Sequence, residues 1–186
     1  MRVSLRSARR AAVGALVALV VLVAVGVPVY VLPATDDVPA HVDAVLVLGP
    51  ATRARTELGR ELVEEGVADT LLISVWQSEL AAGPEESDVV ACDEPDMVVV
   101  CFTAVPGTTR GEARSLRDYA ESNGWDSVAV ITQTPHITRA RILMERCWDG
   151  QVLMVSSGEP SSIGAWAYEY VYQTGAFAKV LAEQGC

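Results

Sequence analysis

The chain has 186 residues, room for one domain of ordinary size with a full core. It carries 24 acidic against 14 basic residues, and all the acids but only ten of the bases lie beyond residue 35, a formal charge of −14 there. That balance argues against nucleic acid as a partner and against a polybasic lipid patch, and a lone lysine, Lys179, removes chemistry that needs a pocket lysine.

Residues 1–10 form a basic segment holding Arg2, Arg6, Arg9 and Arg10. From Ala11 to Thr35 no residue is charged, and Ala11 to Leu32 is almost wholly aliphatic. Roughly 20 apolar residues span a bilayer as a helix. The run exceeds the ~7–15 residues of a signal-peptide core, and no clean small-x-small site follows it. Residues 11–33 are therefore read as an uncleaved transmembrane anchor, with a cleaved signal peptide as the alternative. Arginines ahead of the run and Asp36 and Asp37 behind it orient the N-terminus to the cytoplasm. The lipid bilayer is thus an expected partner, and the rest of the chain is expected on the extracytoplasmic side of the cell membrane.

Residues 34–42 make a short linker, and an α/β domain is expected over 43–186. Ala44–Leu48 is a continuous apolar run ending at Gly49-Pro50, as in a strand buried on both faces. Arg53–Glu65 has helical spacing and is stopped by Gly66; Thr70–Val75 reads as the second strand. Residues 76–96 are turn-rich, with Val89–Cys92 as a short extended piece. Met97–Phe102 is a third strand, Arg110–Asn123 a helix, Ser127–Thr132 a fourth strand and His136–Cys147 a helix. Gln151–Val155 and Gly164–Gln184 complete the pattern as strand and helix. Such alternation predicts a Rossmann-like three-layer sandwich around a mostly parallel sheet of about five strands.

Cys92, Cys101, Cys147 and Cys186 all fall in the part expected outside, where disulfides persist. Of the three possible pairings, proximity favours Cys92 with Cys101, leaving Cys147 with Cys186. The absence of C-x-x-C and of histidines at ligand spacing argues against a metal site, and the sequence names no cofactor.

Ligands of such sheets bind beyond the carboxyl ends of the strands. The motifs of P-loop enzymes, dinucleotide dehydrogenases, α/β-hydrolases and zincins are missing there. Thr, Arg and His are present instead. Thr109-x-x-Glu112 has the spacing of a capping box; alternatively Thr108, Thr109 and free amides cradle an anion at a helix N-terminus. Thr134 can cap the next helix and Pro135 suits its first turn. His136 and Arg139 exceed what capping needs, and cations at the positive end of a helix call for an anion. The alternative is an Arg139 paired to a nearby Glu and a satisfied His136.

The stretches "DAVLVLG" (43–49), Arg55 with Gly66, "TTRGEA" (108–113) and "ITQTPHITRA" (131–140) resemble the SanA/YdcF-like envelope-protein family, domain of unknown function 218. The resemblance implies a Rossmann-like domain behind one membrane helix. It also implies a role in envelope barrier function or in metabolism of envelope polymers and their lipid carriers. It marks Gly49, Arg55, Thr109, Glu112, Thr132, His136 and Arg139 as one cleft. The chain departs from the family at Pro50, which offers no amide, and at Ser74-Val75-Trp76, where the family tends to Ser-Gly-Gly.

Three functions are compatible with this reading. One is a hydrolase or transferase of a phosphorylated envelope intermediate, with Arg55 and Arg139 on the anion, His136 as acid/base and Glu112 orienting a partner. Another is a receptor for a small anionic or lipid-linked ligand, and a third is a scaffold for envelope-protein partners.

Overall fold

The computed structural model describes residues 5–76, 92, 97–159 and 162–186. Its sheet is parallel throughout and has five strands: β1 (Ala44–Val47), β2 (Thr70–Ser74), β3 (Val98–Phe102), β4 (Ser127–Thr132) and β5 (Gln151–Ser156). They lie in the order β3-β2-β1-β4-β5. The expected Val89–Cys92 segment lies outside the described residues except for Cys92.

Alternation within each strand divides the core. Ala44, Leu46, Val128, Val130, Val152 and Met154 face one side, against α3 (Thr109–Asn123) and α4 (Ile137–Cys147). Val45, Val47, Leu71, Ile73, Ala129 and Ile131 face the other, against Leu58, Leu62 and Val63 of α2 (Arg53–Glu64). Buried on both faces, these strands need apolar residues at every position, which is why they read as unbroken runs. The result is the expected Rossmann-like α/β sandwich, and the structure pairs Cys92 with Cys101 and Cys147 with Cys186.

Ahead of the domain, α1 (Leu5–Gly26) runs into a π-helical turn, Val27–Val31. Together, Ser7–Val31 is long and apolar enough to cross a membrane. Past it the chain is no loose tether. The Asp36 amide donates to the Met154 carbonyl (3.0 Å), and its carboxylate accepts from the Met154 amide (2.7 Å) and from Arg141 (2.7 Å). Residue 36 thereby covers the outer edge of β5, which would otherwise present free backbone groups. The last helix, α5 (Ile163–Ala182), packs on α4 and on the π-helical turn through Tyr30.

Chain direction away from β1 reverses between β2 and β4, so the switch point lies where β1 and β4 end side by side. The chain is brought to this point at α3 by a close approach at Gly111, where any Cβ would collide with the Pro106 carbonyl oxygen. Gly175 of α5, by contrast, faces open space. Gly→Ala inside a helix gains about 1 kcal/mol from propensity, whereas overpacking against fixed backbone costs ~1–3 kcal/mol or more. Urea unfolding of the detergent-solubilised full chain should show Gly111→Ala destabilised despite the propensity gain, with Gly175→Ala neutral or slightly more stable. Equal stabilities for the two variants would contradict the close approach.

Candidate functional site

At the switch point the first turn after β1 meets α3. Gly49 donates its amide to Glu112 Oε1 at 2.8 Å, and the Ser74 hydroxyl at the end of β2 adds a further hydrogen bond to the same carboxyl. A Cβ at Gly49 would lie 3.1 Å from the Trp76 indole nitrogen and 3.2 Å from the Ser74 carbonyl, a tight fit that favours glycine. Trp76 thus stands where the resemblance would put glycine, and it closes that turn. Burial pushes the Glu112 carboxyl up, while the Gly49 and Ser74 hydrogen bonds and the charges of Arg139 and Arg55 pull against it.

This geometry replaces the expected capping box. The N-cap of α3 is Thr108, whose exposed hydroxyl accepts from the Gly111 amide at 3.3 Å. Thr109 is already helical, and Glu112 reaches across to β1 instead of back to its own helix end. With two adjacent threonines, either could cap. The turn leading in from Pro106 delivers Thr108 to that place and turns Thr109 inward.

The second half of the site follows β4. Gln133 leads into a 3-10 turn, Thr134–His136, and α4 begins only at Ile137. The Thr134 hydroxyl bonds to Ser156 Oγ at 2.7 Å and caps no helix. His136 is turned inward between two threonines, with Nδ1 at 2.9 Å from Thr132 Oγ1 and Nε2 at 3.3 Å from Thr109 Oγ1. Arg139 donates to Thr109 Oγ1 at 3.4 Å and to Gln173 Oε1 of α5 at 2.9 Å. A neutral imidazole has one donor and one acceptor nitrogen. With Arg139 donating to it, the Thr109 hydroxyl can place its own hydrogen on Nε2, which leaves Nδ1–H for Thr132.

Burial first, then the Arg139 and Arg55 charges, holds His136 well below the ordinary histidine value of 6.5, so the ring is neutral at pH 7. Arg139, also buried, is held by neutral partners, and among the described residues no carboxylate comes within ion-pair distance of it. Glu112 and Glu169 act on it only through space.

Arg55 is differently placed. Its Nε and one terminal nitrogen fork onto Glu159 at 3.1 and 3.2 Å, and the other terminal nitrogen donates to the Leu48 and Pro50 carbonyls. Burial would raise Glu159, but hydrogen bonds from Thr52 and Arg55 and the Arg55 charge outweigh it and hold the carboxyl below its ordinary value. The guanidinium is committed to pinning the first turn, and it reaches Glu112 and His136 through its charge alone.

Thr109, Thr132, His136 and Arg139 therefore form one hydrogen-bonded group, with the Gly49–Glu112 pair beside it on the first turn of α3, Arg55 behind and Thr108 outside on the surface. Gln173 joins this group and Glu159 holds Arg55, and neither was among the residues expected from sequence. Gln173 has a signal after all, as the one amide in a largely apolar and aromatic helix. Glu159 has none beyond its turn after Gly158. His41 is exposed in the linker, away from the site. Among the described residues no group of His, Cys, Asp or Glu is placed to hold a metal ion. Comparison with protein-family models, with curated proteins and with solved structures finds no match.

The neutral His136 has a pH signature. Below about 6.5 the unfolded chain takes up a proton that the folded chain does not, so this contribution to stability is full above that pH and is lost as pH falls below it. Urea midpoints measured from pH 7 down to pH 5 should fall more steeply for the wild type than for His136→Gln. Parallel curves would mean that the imidazole is not held neutral.

Proposed function

We propose that this chain is a membrane-anchored envelope protein of the SanA/YdcF-like kind, N-terminus in the cytoplasm, whose cleft binds a phosphorylated or lipid-linked envelope intermediate. The observation that carries the reading is Arg139, a buried cation at the strand ends whose hydrogen-bond partners among the described residues are all neutral. A buried charge without an opposite partner is costly, and an anion at this point would complete it with charge-assisted hydrogen bonds. The start of α4 adds its amides and dipole to the same place. The clustering of six of the seven residues that the resemblance marks, with Arg55 behind them, supports the family reading. Four arginines before the span and the two disulfides after it support the orientation.

If the ligand is turned over, His136 is the proton carrier. It is neutral, so it would take a proton from an attacking hydroxyl or water, and Arg139 would hold the charge that develops on the anion. Glu112 would keep the first turn and α3 in register and would not itself touch the ligand.

A specific observation favours a second reading, a receptor without catalysis. Both ring nitrogens of His136 already have partners, the Gly49 amide is spent on Glu112, and Arg55 is spent on Glu159. That leaves Arg139 to bind and little to drive a reaction.

The test uses the full chain in nanodiscs of zwitterionic lipid, titrated with inorganic pyrophosphate and with a polyprenyl phosphate. Hydrogen bonds to charged groups contribute ~1.5–3 kcal/mol, so Arg139→Gln should weaken binding roughly 10- to 100-fold. His136→Ala should retain binding and, on the enzymatic reading, lower turnover by about 10²–10⁴. Binding with no turnover by the wild type selects the receptor. Failure of the wild type to bind either anion would sink both.

A further inference from the structure

α5 has a composition unlike the other domain helices. From Ile163 to Ala178 its only charged residue is Glu169, and it carries Trp166, Tyr168, Tyr170, Tyr172 and Phe177. Much of this apolar surface is uncovered: Ile163, Tyr168, Val171 and Tyr172 are all at least half exposed. Its neighbour on the open side is the apolar span. The Tyr170 hydroxyl donates to the Val23 carbonyl, its ring crowds Gly26, the Thr174 hydroxyl lies 3.3 Å from that of Tyr30, and Phe177 packs at a tilt against the Tyr30 ring. Tyr30 also meets the Tyr170 ring edge-on at 5.2 Å, so Tyr170 faces the last turns of the span from Val23 to Tyr30.

Depth follows from the span's own length. Ser7–Val31 has 25 residues, about 37 Å at ~1.5 Å per residue, against ~30 Å of hydrocarbon. Val23 lies eight residues before Val31, about 12 Å inside that end. Even if the whole excess of ~7 Å protruded on this side, Val23 would still lie ~5 Å within the hydrocarbon.

We propose that the first half of α5, Ile163–Tyr172, is a second membrane element, lying in the headgroup–acyl boundary of the bilayer leaflet that α1 leaves. Aromatic rings favour that boundary, and an interfacial helix sinks ~5–10 Å into it. The apolar face is continuous with the span, so the occupant is lipid. The domain's charge of −14 offers anionic headgroups no attraction, which leaves apolar insertion to hold the contact. The one acid is turned away: Glu169 accepts from Gln173 (2.9 Å), which accepts from Arg139. The Thr138 hydroxyl donates to the Val29 carbonyl just after His136, so the corner that carries the cleft abuts the end of the span. A ligand carried in the membrane would therefore meet Arg139 from the lipid side. The inference rests on α1 being a span and not on the cleft binding an anion.

All four native cysteines are paired, so an added one can take a nitroxide label. Full chains carrying Tyr168→Cys, Val171→Cys, Val17→Cys in the span or Glu121→Cys on the exposed face of α3 are reconstituted in liposomes. Relaxation by oxygen and by a water-soluble nickel chelate is then compared. Labels at 168 and 171 are expected to show oxygen contact above nickel contact, at a shallower depth than Val17, while Glu121 shows the reverse. Labels at 168 and 171 that match Glu121 overturn the inference. So does shielding from both reagents with dipolar broadening, which would put a second copy on this face. A water-accessible Val17 overturns it together with the anchor. Anion binding does not enter the measurement, so a chain that inserts but binds no phosphate refutes only the cleft.

Discussion

The bond from the Gly49 amide to Glu112 holds the switch point together. A carboxyl this deeply buried costs several kcal/mol to bring out of water unless its oxygens are satisfied, and here the satisfaction comes from two different strands, through Gly49 after β1 and Ser74 at the end of β2. Because Glu112 sits in the first turn of α3, meeting its needs fixes where α3 begins. That in turn places Thr109 against His136 and leaves Gly111 as the residue that must pass the Pro106 carbonyl. One side chain sets the register between the sheet's centre and the helix that closes its face.

Charge then divides unequally around this point. Arg55 is neutralised by a forked carboxylate, while Arg139 is held by an amide and a hydroxyl. Both cations act on His136 and depress its basicity, and burial acts in the same direction. A ring kept neutral this way accepts a proton only when something offsets the cations. An anion bound at Arg139 would do so, which couples binding to the proton affinity of the imidazole. The same coupling would be weak at Arg55, whose field Glu159 already cancels in part.

The sheet and its helices were legible in the sequence because double burial imposes continuous apolar runs, and these cannot be confused with the charged, periodic helices between them. The strand-end cluster was legible for a different reason: His136 and Arg139 are surplus to local capping. Glu159 was not legible, and Gln173 only as an amide in a largely apolar helix, without its partner. Their partners lie 104 and 34 residues away, and no local pattern encodes a pairing at that distance. The linker misled in the opposite way. Asp36 is polar and near the span, so it reads as solvated, yet its carboxylate is consumed by Met154 and Arg141. A polar residue satisfied by tertiary donors looks the same in sequence as one satisfied by water. The shift of the α3 cap from Thr109 to Thr108 is a third case, since two equivalent hydroxyls left the choice to a turn whose geometry the sequence does not specify.

These contacts bear on how span and domain move together. Asp36 ties the chain to the edge of β5, Thr138 ties α4 to the Val29 carbonyl, and Tyr30 packs between Tyr170 and Phe177. The attachments involve three different elements of the domain, so rotation about any one of them strains the others. A flexible tether would let the strand ends face any direction. With this arrangement the orientation of the strand ends is fixed relative to α1, in part by the same helix that supplies Gln173 to Arg139. A shift of α5 along α1 would also bear on the Gln173 hydrogen bond to the Arg139 guanidinium, since Gln173 and the Tyr170 contact belong to one helix.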